Sequence, residues 1–160
     1  EDGSCYFVKV SQDIKKAHNF CAILEDESVQ KIFHFARFDV AILQHTYCVK
    51  ISNIYCTKIA SKLTRTYTEK HGLKELCKEL LSVDLSKEQQ SSYWGADSFS
   101  KEQLKYAAND VLYLHALKAR LNILLEREKR LDLAHECFRA IPVISTLDSL
   151  GFNDLSVLEH

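Results

Sequence analysis

At 160 residues, 46% hydrophobic and 27% charged, the chain has the length and composition of one soluble globular domain, which excludes a disordered or membrane-embedded protein. A formal net charge of −1 excludes the strongly basic surface of a general nucleic-acid coat but leaves room for an enzyme that grips a few terminal nucleotides. Four Gly and one Pro leave few breakers, so a helix-rich α/β domain is expected rather than a barrel or sandwich of short strands.

Residues 5–10 are rich in aromatic and β-branched side chains and predict a first strand. Ser11 or Asp13 then caps a helix with the apolar stripe Ile14, Ala17, Cys21, Ala22 and Leu24, ending near the acidic cluster Glu25-Asp26-Glu27. That cluster precedes a strand instead of lying on one and reads as solvated surface. Residues 31–35 form the second expected strand, and 36–43 turn straight into a helix with Asp39 in its first turn. The helix dipole favours a carboxylate there, so a structural and a functional reading of Asp39 stand side by side.

A third strand is expected over 49–56, followed by a helix over 57–65 whose Lys58, Lys62 and Arg65 share one face, either a solvated face or a contact for phosphates. Residues 72–81 form another amphipathic helix. A Ser-x-x-Gln at Ser86 and Gln89 precedes Ser91-Ser-Tyr-Trp94, and Trp94 is expected to pack against the domain.

Residues 100–121 predict one long helix. Ser100 and Gln103 make a capping box, Phe99 and Leu104 a hydrophobic staple, and Leu104, Ala107, Ala108, Val111, Leu114, Leu117, Leu121 and Leu124 recur on one face. On that side sit Tyr106 and Asp110, one turn apart and roughly 6 Å along the axis. A carboxylate near an apolar face needs a partner, and the phenol can aim its hydroxyl at whatever the carboxylate binds. Taken alone, such a pair is more often structural than functional. A short helix over 131–141 is expected to end at Pro142.

The six cysteines, Cys5, Cys21, Cys48, Cys56, Cys77 and Cys137, lack Cys-x-x-Cys spacing and read as buried free thiols in a reduced, cytoplasmic setting. No apolar run reaches the roughly 18 residues of a membrane span. The chain holds no Met and opens Glu1-Asp2-Gly3-Ser4 before a strand-like run, so the native start is expected upstream. Residues 158–160 read as a tag remnant, leaving 1–157 as one domain.

The run from Trp94 through Leu121, with Tyr-Ala-Ala-Asn-Asp-Val-Leu-Tyr-Leu inside it, resembles the third exonuclease motif of ribonuclease D and its relatives. These are 3′–5′ exonucleases of the DEDD superfamily, named for four acidic residues, in the subclass that adds a Tyr. His34-Phe-Ala-Arg-Phe-Asp39 looks like the second motif, in which a strand delivers an Asp at the start of a helix. The order is the family's, and the resemblance, to the compact single-domain bacterial members, covers nearly the whole sequence. Relatives often carry Asp-Thr where this chain has Cys56-Thr57.

The resemblance implies a ribonuclease H-like α/β exonuclease domain, N-terminally truncated, with a reduced sheet of about three strands and many helices. It implies two-metal-ion hydrolysis of phosphodiester bonds in nucleic acid, RNA by preference, releasing nucleoside monophosphates with Mg2+ or Mn2+. By position, Asp110 carries the ion bearing the attacking water, Asp39 helps to hold the other ion, and Tyr106 orients the water. His34, Arg37, Lys58, Lys62 and Arg65 complete the set as substrate contacts. The expected partner is a single-stranded RNA 3′ end, with self-association through an exposed sheet edge. The family's first motif, an Asp-x-Glu bridging both metals, has no counterpart before Cys5, which predicts little activity from this chain alone. The alternative is a catalytically inactive ribonuclease D-like module that binds RNA or protein, and the presence of all three matching residues favours the enzyme.

Overall fold

The computed structural model describes residues 3–8, 17–85, 93–95, 98–152 and 156–158. Helix α1 (His18–Glu25) leads to strand β1 (Lys31–Phe33), helix α2 (Ala36–Tyr47) and strand β2 (Ile54–Cys56). Helices α3 (Thr57–Thr64), α4 (Leu73–Leu81), α5 (Lys101–Leu112), α6 (Leu114–Arg127) and α7 (Leu131–Ser149) follow, with a closing 3₁₀ turn over Ser156–Leu158. The expected cap at Ser11 or Asp13, the Ser86/Gln89 pair, Ser91, Ser92 and residues 159–160 lie outside the described residues.

Strands β1 and β2 pair in parallel, Lys31 opposite Ile54 and Phe33 opposite Cys56, with α2 as the crossover that a parallel pair requires. β1 lies against α2 and α6, and β2 against α2 and α7. Val40, Ile51, Tyr55, Leu76, Leu117 and Leu121 form the centre of the core. All three strand residues of β2 are buried, as a short apolar strand covered by helices should be.

The architecture is the expected helix-rich α/β domain with a reduced sheet, and four local expectations are corrected. Among the described residues the sheet has two strands, not three: residues 5–8 carry no strand assignment and join no sheet, and Tyr6 is 85% exposed. β-propensity describes fit to a pleated neighbour, and here those residues have none. The long helix divides at Tyr113, because its halves face different surroundings. α6 buries Leu114, Leu117, Leu121 and Leu125, whereas α5 buries no residue fully. Its capping box is present, with the Gln103 amide donating to Ser100 Oγ at 3.2 Å and the Ser100 amide to Gln103 Oε1 at 2.9 Å.

Helix α7 runs through Pro142 to Ser149 instead of stopping there. Pro142 removes one helical donor, but Ile141 and Ser145 remain buried on either side of it, so packing outweighs the local preference. All six cysteines are free, yet only Cys56 and Cys77 are buried; Cys48 is exposed at the left-handed C-cap of α2. No helix among the described residues is long and apolar enough to cross a membrane.

Candidate active site

At the carboxyl end of β1 the chain leaves the sheet through His34 and Phe35 and enters α2. Phe35 is the helix N-cap in the left-handed region, φ 67°, where a bulky residue is held only by its surroundings. Ala36 and Val40 anchor the new helix in the core. Asp39, between them, is turned to a cleft of about 730 Å³. Tyr106, Asn109 and Asp110 of α5 line the same cleft, as do Gly72, Leu73, Lys74 and Glu75 at the start of α4.

The two aspartates line one cleft, and both keep an exposed side chain in it. The cleft walls strip water from the Asp39 carboxyl and raise its pKa; a hydrogen bond with its own backbone opposes the rise, and the Asp110 charge adds to it. Asp110 is raised by desolvation as well. The Tyr106 hydroxyl is held above its ordinary range by desolvation and by Asp110 beside it. Behind Tyr106 the ring of Trp94 lies 6.1 Å from the phenol ring and 5.7 Å from that of Phe99, so the expected packing of Trp94 is directed at the site.

His34 lines the cleft floor. Its Nδ1 is 2.9 Å from Thr57 Oγ1, which donates to the Phe33 carbonyl oxygen at 3.2 Å. The hydroxyl therefore accepts the Nδ1 proton, leaving Nε2 as the acceptor nitrogen of a neutral ring. Burial and then the Lys58 charge push the His34 pKa down to about 4, against a smaller opposing effect of Glu75. Lys58 Nζ sits 3.6 Å above the Phe35 ring at the cleft rim, and Lys62 is exposed one turn further along α3.

Of the five expected substrate contacts, His34 lines the cleft and Lys58 reaches its rim at Phe35, whereas Lys62, Arg37 and Arg65 are not among the lining residues. The Arg65 side chain is 1% exposed, bonded to Ser61 Oγ, the Lys70 carbonyl and both carboxylate oxygens of Glu79. It is the C-cap of α3, and its non-helical backbone turns it inward, away from the face that carries Lys58 and Lys62. The Arg37 guanidinium pairs with Asp148 of α7 and does not line the cleft. The sequence reading missed Lys74, Glu75 and Asn109. For Glu75 a signal existed: it falls in the first turn of α4, where the positive end of the helix dipole favours a carboxylate.

No group of three or more His, Cys, Asp or Glu among the described residues could hold a metal ion. Asp39 and Asp110 nonetheless provide hard oxygen donors whose like charges a divalent cation would relieve, so the pair fits Mg2+ or Mn2+.

A family model described as 3′-5′ exonuclease matches residues 1–126. Ribonuclease D of Gluconacetobacter diazotrophicus is 32% identical over 110 residues, 69% of this chain and 28% of that protein. The chain thus spans less than a third of that relative's length. The structure of Brucella melitensis NrnC bound to pGG superposes with a TM-score of 0.83 at 54% identity, covering 88% of this chain and 68% of that one. The same protein with bound Mg2+ gives 0.81 at 52% identity, covering 85% and 66%.

Proposed function

This chain belongs to the 3′–5′ exonuclease family, and from that premise we propose that the full-length protein removes nucleotides from the 3′ ends of single-stranded RNA by metal-dependent phosphodiester hydrolysis, releasing nucleoside monophosphates. The observation that carries the reading is that Asp39, Tyr106 and Asp110, drawn from helices far apart in sequence, line one cleft. Asp39 and Asp110 hold divalent ions. Those ions, when bound, supply an activated water and neutralise charge on the leaving oxygen. Tyr106 directs its hydroxyl to the water, Trp94 fixes the phenol ring, and the neutral His34 offers Nε2 as an acceptor. Lys58 and Lys62 meet the phosphates, and Phe35, Ile42 and Val111 give the bases an apolar wall.

RNA as substrate is supported by similarity to ribonuclease D and to NrnC bound to pGG, and use of a divalent ion by similarity to NrnC with bound Mg2+. Six free thiols suit a reduced cytoplasmic setting. Self-association uses the outer edge of the two-stranded sheet, and sedimentation tests it. Side-by-side digestion of labelled RNA and DNA tests the substrate: faster loss of RNA supports the proposal, and faster loss of DNA overturns it. RNA retained without cleavage would favour an inactive binding module.

A further inference from the structure

The turn that carries Asp39 lacks a side-chain cap of its own. The N-cap of α2 is Phe35, which offers no side-chain acceptor to the first-turn amides and holds a left-handed backbone that a bulky residue rarely adopts. Ala36 and Val40 seat the turn in the core, and a second set of contacts comes from one turn of α7. The Arg37 guanidinium makes a two-pronged ion pair with Asp148, Nε to Oδ2 and Nη2 to Oδ1. The Arg37 carbonyl accepts a 3.0 Å hydrogen bond from Ser145 Oγ, and Ser145 is 1% exposed.

Residues 37 and 39 stand roughly 200° apart around a helix, so Arg37 meets α7 from the side opposite the cleft that Asp39 faces. Fixing one sets the rotation of the other. With side chains reaching about 5 Å from the axis, a rotation of about 10° moves the Asp39 carboxylate by about 1 Å, enough to cost a site of this kind about 100-fold. A salt bridge on an exposed surface does little, but this one is partly shielded, two-pronged and joined to a buried hydroxyl on the same residue. α7 lies beyond residues 1–126, the part that the family model matches.

We propose that Asp148 and Ser145 are positioning residues that act through Arg37 to hold Asp39 in its metal-binding orientation. The inference rests on the reading of Asp39 as a metal carboxylate. In the protein containing α7, Asp148→Asn and Ser145→Ala are compared with Phe138→Leu, which loosens α7 away from Arg37. The readouts are amide hydrogen exchange at residues 36–41 without metal, the midpoint of Mn2+ binding, and kcat and KM separately. Asp148→Asn and Ser145→Ala should speed exchange at 36–41, raise the Mn2+ midpoint about tenfold and lower kcat at unchanged KM. Arg37→Asp combined with Asp148→Arg should recover part of the loss. Phe138→Leu should lower the melting temperature without either local effect. Unchanged exchange and Mn2+ binding in Asp148→Asn, or the same changes in Phe138→Leu at equal thermal loss, would overturn the proposal. Altered exchange and Mn2+ binding in a protein that cuts no nucleic acid would sustain the positioning role and refute the nuclease reading instead.

Discussion

Asp39 occupies the first turn of α2 and Asp110 the last turn of α5, so the two carboxylates of one cleft sit at opposite ends of helix dipoles. The positive end of α2 favours Asp39, whereas the negative end of α5 disfavours Asp110. Of the two, Asp110 therefore has the greater need of a cation.

Removing either charge should stabilise the metal-free protein. Both pKa values are raised, so the fold binds these protons more tightly than the unfolded chain does. Stability is highest where both are protonated, falls as pH rises from 3.8 through the raised values, and stays at its lowered level at neutral pH. In chelator at pH 7, Asp110→Asn should raise the melting temperature by a few degrees, and Asp39→Asn by less. Adding Mg2+ should stabilise the wild type and neither variant. Differential scanning fluorimetry checks both the order and the loss of response.

His34 runs the other way. Its folded-state pKa of about 4 lies below the ordinary 6.5, so its contribution is complete above pH 6.5 and is lost as pH falls towards 4. The loss is of order 3 kcal/mol. Urea unfolding at pH 7 and pH 4.5 should show this acid sensitivity in the wild type and a smaller one in His34→Gln.

Arg65 is predicted to matter for stability and not for substrate. Glu79→Ala leaves its guanidinium buried with only neutral partners, at a cost of about 3 kcal/mol in urea denaturation. Arg65→Lys should not recover the wild-type value, because an ammonium cannot reproduce the fork that meets Glu79, Ser61 and the Lys70 carbonyl.

Lys58 is the opposite case. Held over Phe35 at the cleft rim, it meets substrate in ground state and transition state alike, so Lys58→Ala should raise KM about three- to tenfold at unchanged kcat. The dependence of log KM on log salt should flatten by about one phosphate contact. Equal kinetics at all salt concentrations would remove Lys58 from the substrate path.

What could be read from the sequence was local. His34 to Asp39 reads as a strand running into a helix, and Ser100 with Gln103 defines the start of α5 through contacts three residues apart. Spacing failed where the chain leaves regular structure or answers to distant packing. Lys58, Lys62 and Arg65 fall on one face only if all are helical, and Arg65 is the cap that turns away. The apolar stripe of residues 104–124 is continuous, but nothing within it reveals that α5 meets a cleft and α6 a core. Pro142 is a helix breaker by itself; the Arg37 and Ser145 contacts that draw α7 past it lie more than a hundred residues apart in sequence.

If Asp110 holds a metal ion in a 3′–5′ exonuclease site, stepwise trimming of a 5′-labelled RNA oligonucleotide reads it out most directly. The full-length protein with Mg2+ should produce a ladder shortening from the 3′ end, its Tyr106→Phe variant the same ladder roughly ten- to hundredfold more slowly, and its Asp110→Asn variant none. Mg2+-dependent trimming by Asp110→Asn at the wild-type rate would contradict the account.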